Sequence, residues 1–145
     1  MKTVDYRSEG NDLFIRLHPG DIVPDVIGEI SEKAGVETAV IVSGVGMLKD
    51  VELSYFVGQG KYESHHLVEP LELISLSGNI SRQEDGYIVH AHAALAGPDG
   101  RVVGGHLTRG VVWITNEIVL SRIPIKFLRL EEPETGLRGI SFPDE

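Results

Sequence analysis

Val89-His90-Ala91-His92-Ala93-Ala94-Leu95-Ala96, then Gly97-Pro98-Asp99-Gly100, then Arg101-Val102-Val103-Gly104-Gly105-His106-Leu107 is the stretch whose reading decides the fold. Two strand-forming segments flank a Pro-Asp-Gly loop. Pro98 presets φ for a type I turn, and Gly100 supplies the left-handed residue of a G1 bulge, so the three residues make a hairpin loop. Such a loop pairs Gly97 with Arg101 and fixes the register. Counting back from that pair, Leu95 faces Val103 and Ala91 faces Leu107 on one apolar face. His92 falls opposite His106, and His90 lies two residues away on the same face as both. A two-residue loop would shift the register by one and send His106 to the other side.

Three imidazoles gathered on one sheet face suit Zn²⁺ or a neighbouring divalent transition metal. Three His ligands leave a fourth position for water or another side chain. A lone His-x-His pair more often marks an exposed polar face; the third histidine, in computed register, favours the metal. Gly104 and Gly105 leave room beside the site. His65 and His66 are adjacent, so on a strand they would point to opposite faces. They read as loop residues, one of which is free to supply a further ligand. Glu117 stands in the otherwise apolar run Val111-Val112-Trp113-Ile114-Thr115-Asn116-Glu117-Ile118. If buried there it needs a partner, which makes it a candidate support for the metal ligands or a general base. The alternative is a strand-end glutamate in water.

Outward from the hairpin, the chain reads as one helix and many strands. Residues 13–17 form a short strand ended by His18-Pro19-Gly20. Asp21 caps the helix that follows, with Pro24 in its first turn. Val23, Val26, Ile27, Ile30 and Ala34 recur at helical spacing, and Gly35 sits at the stop. Residues 38–45 are a continuous Val- and Ile-rich run, which predicts a buried strand. Further strands are expected over 51–57, 71–77, 87–96, 102–107, 111–120 and 125–130. The fold class is α+β: a mostly antiparallel sheet with one main helix packed on it. Residues 1–145 make a single domain with a core at about 13–130 and an irregular tail over 131–145, where Pro133, Gly136 and Pro143 fall.

Bulk properties bound the partners. The 145 residues are 41% hydrophobic and 24% charged, which permits a real core without a disulfide or metal. There is no cysteine, so disulfides, thiol nucleophiles and Cys-type zinc sites drop out. Met1-Lys2-Thr3-Val4-Asp5-Tyr6-Arg7 lacks the apolar stretch of a signal peptide, and no apolar run has membrane-spanning length. A cytoplasmic protein with no membrane partner is the expectation. The net charge of −9 argues against autonomous, tight binding of DNA, which attracts clustered Lys and Arg. A local basic patch formed in an oligomer stays open. Ser43-Gly44-Val45-Gly46 follows a strand, but Lys49 stands where a dinucleotide fingerprint needs its third glycine. Ser75, Ser77 and Ser81 have no nucleophile-elbow context.

The segments Pro70-Leu71-Glu72-Leu73-Ile74-Ser75-Leu76-Ser77-Gly78-Asn79-Ile80 and Leu95-Ala96-Gly97-Pro98-Asp99-Gly100-Arg101-Val102-Val103-Gly104-Gly105 resemble the two signature stretches of the PPC (plant and prokaryote conserved) family. The resemblance runs from about Leu13 to Leu130. It implies an α/β fold with a mostly antiparallel sheet and assembly as a homotrimer. It also implies a metal site of the archaeal and bacterial type at His90, His92 and His106. Family naming implies DNA binding, but the Arg-Gly-Arg-Pro AT-hook through which plant members contact DNA is absent. The plant Gly-Arg-Phe-Glu-Ile-Leu partner motif is replaced by Glu69-Pro70-Leu71-Glu72-Leu73-Ile74.

Three functions follow. The first is a metal-binding trimeric module with a regulatory or DNA-associated role, the metal being a divalent transition metal of which zinc is the leading candidate. The second is a metal-dependent hydrolase or hydratase, with Glu117 as base and water on the open position. The third is a structural metal that steadies the trimer.

Overall fold

The computed structural model describes residues 5–143; residues 1–4 and 144–145 lie outside the described part. Its elements, in chain order, begin with β1 (Asp5–Glu9), β2 (Asp12–Leu17), β3 (Ile22–Val23) and α1 (Asp25–Lys33). Next come β4 (Thr38–Gly58), β5 (Lys61–Leu67), β6 (Leu71–Gln83), β7 (Gly86–Ala96) and β8 (Val102–Arg122). The short strands β9 (Leu128–Glu131) and β10 (Arg138–Ser141) finish the chain. Among the described residues every strand pairing is antiparallel and one helix lies on the sheet, in line with the mostly antiparallel sheet and single main helix that the sequence predicts.

The hairpin forms in the predicted register. Gly97 N–H donates to the Arg101 carbonyl at 3.1 Å, and Gly100 N–H donates to the Gly97 carbonyl at 2.9 Å. Gly100 takes φ +79°, a conformation that costs glycine nothing. Asp99 Oδ1 accepts from the Arg101 N–H at 3.0 Å and closes the loop from the side. Leu95 pairs with Val103 and His92 with His106.

The long strands differ from the sequence reading. The runs expected at 38–45 and 51–57 are one strand, β4, and those at 102–107 and 111–120 are likewise one, β8. Each absorbs register shifts rather than breaking. Glycines and polar residues inside these runs look like connections in sequence but serve as bends in continuous strands. Their length lets β4 pair with β5, β6 and β8, so the path β4–β6–β7–β8 returns to β4 as a small closed ring. Leu48, Leu76, Ile80, Leu95, Leu107 and Ile118 are fully buried within it.

Helix α1 presents Val26, Ile27 and Ile30 to the core and lies against β7 near Tyr87 and Val89. Asp21 does not cap it: the residue before the helix is Pro24, with no side-chain cap. Asp21 Oδ2 instead accepts the His18 N–H at 2.8 Å, closing the preceding turn.

The C-terminal segment is also a correction. Residues 128–131 and 138–141 pair as an antiparallel hairpin. Its turn is closed by Gly136 N–H donating to the Glu132 carbonyl at 2.7 Å. Pro133 and Gly136, read as signs of irregular chain, are the punctuation of that turn. The hairpin approaches β6 through Arg129, whose Nη2 donates to Asn79 Oδ1 at 2.8 Å.

Candidate metal centre

Along β7, side chains alternate between faces. Ala91, Ala93 and Leu95 are buried in the core, and His90 and His92 lie on the opposite face. On β8, Leu107 goes to the core and His106 to the histidine face. Strand pairing then brings the three rings together. Ring centroids are 5.0 Å apart for His90 and His92, 5.4 Å for His90 and His106, and 5.7 Å for His92 and His106. One nitrogen from each ring lies within 4.8 Å of the others. His92 is exposed; His90 and His106 are half-buried.

The surroundings keep two of the rings uncharged. The His90 pKa is lowered to about 4, first by burial, then by the Arg129 guanidinium and the neighbouring imidazoles. His106 is lowered by burial and by His92. A neutral imidazole is the form that ligates a metal, so the site is disposed toward one. Tetrahedral zinc with bonds of about 2.0–2.1 Å would need nitrogens about 3.4 Å apart, and nitrogens already within 4.8 Å of one another are near enough for modest side-chain rotations to supply them. All-nitrogen donors without thiolate or carboxylate suit zinc and its divalent neighbours. The residues present therefore fit the group.

Position is secured from behind. Ser77 and Asn79 of β6 pair with His92 and His90, and Gly78 between them pairs with Ala91. Gly78 has φ +151°, and a Cβ there would run into the His90 carbonyl. The close approach of β6 to β7 at the site thus requires glycine.

The other nominated residues lie elsewhere. Glu117 is exposed and pairs with Arg16 of β2 and Val45 of β4, on a stretch of β8 far from His106. Within the chain it reaches none of the three imidazoles. His65 and His66 are not loop residues but part of β5, opposite Leu53 and Glu52. Only His90, His92 and His106 form a three-residue ligating group among the described residues.

Sequence reasoning overlooked Arg129. It is 8% exposed, and its Nη2 lies 3.4 Å from His90 Nδ1. One signal was available: an arginine flanked by leucines in Phe127-Leu128-Arg129-Leu130, where a charged residue stands inside an apolar run. Tyr62 of β5 was missed too; its ring lies 5.5 Å from that of His106.

Fold and site together define a small antiparallel α+β domain with a trihistidine cluster. Residues 4–124 match the model of the Plants and Prokaryotes Conserved (PCC) domain, and the chain belongs to that family. It is similar to a metal-containing protein from Archaeoglobus fulgidus, at 31% identity and TM-score 0.80, over 99% of this chain and 100% of that one. A plant- and prokaryote-conserved (PPC) protein from Pyrococcus horikoshii matches at 30% identity and TM-score 0.79, over 96% of each chain. A Bacteroides thetaiotaomicron protein, whose name proposes without asserting DNA binding, matches at 21% identity and TM-score 0.89 over 97% and 99%, a likeness of fold alone. Among curated proteins, the bifunctional protein GlmU of Synechococcus sp. (strain JA-3-3Ab) is 33% identical over 124 residues, 84% of this chain. This chain covers 19% of that relative's length.

Proposed function

We propose that this protein is a homotrimeric metal-binding module of the cytoplasm, holding one zinc-like divalent ion per chain on His90, His92 and His106. The observation that carries the reading is the convergence of three imidazole nitrogens within 4.8 Å, two of the rings held neutral by their surroundings. The metal-containing relative from Archaeoglobus fulgidus supports it. When bound, the ion would act as a Lewis acid toward whatever fills its open position. The chain's own contributions are the neutral ligands and an exposed mouth at His92. Trimer assembly is supported by apolar side chains left on the outside of the sheet, Phe14 and Val42 each 61% exposed.

A regulatory, DNA-associated role draws on the names of fold neighbours, and the charge of −9 opposes it. A gel shift on AT-rich duplex at low salt decides that part: no shift by the pure trimer removes it. The enzyme reading draws on the open coordination position but lacks Glu117 as its base within the chain. No helix among the described residues is long and apolar enough to cross a membrane.

The deciding measurement is metal content after loading and extensive dialysis. About one ion per chain, lost in His92→Ala, is expected for a three-His site. A wild-type chain that retains none would reduce the three histidines to surface residues.

A further inference from the structure

A cavity of about 250 Å³ opens beside two of the three imidazoles. His90 and His106 line it on one side and Arg129 and Arg138 on another, with Ile88 and Leu137 supplying apolar wall. None of its lining residues is a carboxylate, although the chain carries 22 acidic residues against 13 basic ones.

Arg129 is buried and makes hydrogen bonds only to neutral acceptors. Nη1 donates to the Arg138 carbonyl at 3.1 Å and Nη2 to Asn79 Oδ1 at 2.8 Å. Nη2 also lies 3.4 Å from His90 Nδ1, and Nε is buried with no acceptor among the described residues. Neither Arg129 nor Arg138 forms an ion pair among the described residues. A buried guanidinium without a counter-charge is unfavourable.

Metal binding sharpens the imbalance in two ways. Three neutral imidazoles leave a divalent ion its full charge, beside two arginines. It also removes an acceptor from Arg129. If the metal takes His90 Nε2, Nδ1 carries the proton; if it takes Nδ1, the lone pair is used. In both cases Nη2 loses the Nδ1 lone pair, and two donors of Arg129 stand without acceptors.

We infer that this cavity binds a small organic carboxylate, whose oxygens meet Arg129 and Arg138 and whose short apolar body lies against Ile88 and Leu137. A planar guanidinium matches a carboxylate's two oxygens. At about 30 Å³ per water, the volume holds an acid of only a few carbons. The inference rests on the metal-binding reading for one part, the tighter hold on the anion when metal is present.

The test is calorimetric titration of the full chain with butyrate, with butyramide as its neutral counterpart and inorganic phosphate as the competing oxyanion. Metal content is measured separately on every sample. Saturable butyrate binding to the metal-loaded chain is expected, about tenfold tighter than to the metal-free chain, with no butyramide binding. Arg129→Met should weaken it by about tenfold or more, and the exposed Arg138→Gln, which threatens the fold less, by a few-fold, both with unchanged metal content. No saturable butyrate signal at verified metal occupancy overturns the inference, as does equal affinity in both variants. Phosphate binding without butyrate binding overturns the organic acid. If the wild type fails to hold metal, the metal reading and the coupling fall together. The arginine dependence of butyrate binding to the metal-free chain then still decides the anion site.

Discussion

Nη2 of Arg129 lies 3.4 Å from Nδ1 of His90, so a permanent cation from the C-terminal hairpin borders an imidazole that must be neutral to hold a metal. Burial and this charge act in the same direction on His90. The arrangement ties the short β9–β10 hairpin, which supplies none of the three histidines, to the protonation of the proposed ligands.

The pH dependence follows with a definite sign. His90 in the folded chain protonates near pH 4, whereas an unfolded histidine does so near pH 6.5. Between those values the unfolded chain binds the extra proton, so stability rises with pH across that window and is lost as pH falls through it. NMR titration of the metal-free protein should show the His90 ring neutral at pH 5. In Arg129→Met its midpoint should rise, while burial still keeps it below the ordinary value. A His90 resonance titrating near 6.5 in the wild type would show that neither influence operates.

Removing the metal should lower thermal stability, because a ligand that binds only the folded state adds stability that grows with the logarithm of its free concentration relative to its dissociation constant. A chelator is expected to lower the Tm of the loaded wild type by several degrees and to leave His106→Ala unmoved. His65→Ala should behave as wild type, since His65 sits on β5 opposite Leu53, outside the ligating group. A chelator response lost in His65→Ala would relocate the site.

Much of this was legible in the sequence, for a local reason. The Pro98-Asp99-Gly100 loop fixes the β7–β8 register, and register alone places His92 opposite His106 and His90 beside them. What stayed hidden depends on contacts distant in sequence. Arg129 reaches His90 only because residues 128–141 fold back as a hairpin, and Pro133 and Gly136 look the same in a turn as in a loose tail. Glu117 drew attention by standing in an apolar run. A sheet that exposes one side there, however, puts it in water opposite Arg16. The merging of two expected strands into β4 escaped notice because a bulge and a connection share the same residues.

Gly78→Ala tests how the site is supported. Gly78 has φ +151°, and an added Cβ would meet the His90 carbonyl, so strand β6 must move away from β7 between Ser77 and Asn79. A loss of about 2–4 kcal/mol is expected from strain and clash together, read as a lower urea midpoint with unchanged slope. Metal affinity should fall as well, because the displaced strand backs both His90 and His92. Wild-type stability in this variant would mean that the two strands are not held so close in solution.

The outer face of the sheet tests assembly. Phe14 of β2 pairs with Val119 of β8, which pairs in turn with Ser43 of β4, and Val42 lies at the adjoining register shift. Phe14 and Val42 are each 61% exposed and Val45 is 43% exposed, so an apolar strip crosses three strands on the side away from the core. On a chain of net charge −9 such a strip is better explained by a protein partner than by solvent. The proposed homotrimer would cover it with further copies of the chain. Light scattering coupled to size exclusion should therefore give the mass of three chains for the wild type. Phe14→Lys combined with Val42→Asp should give the mass of one, with the far-ultraviolet circular dichroism of a folded β protein retained. Because both residues point away from the core, loss of assembly without loss of fold is the specific expectation. A wild-type chain that runs as a monomer would refute the trimer outright, and a double variant that remains trimeric would move the interface to another face of the sheet.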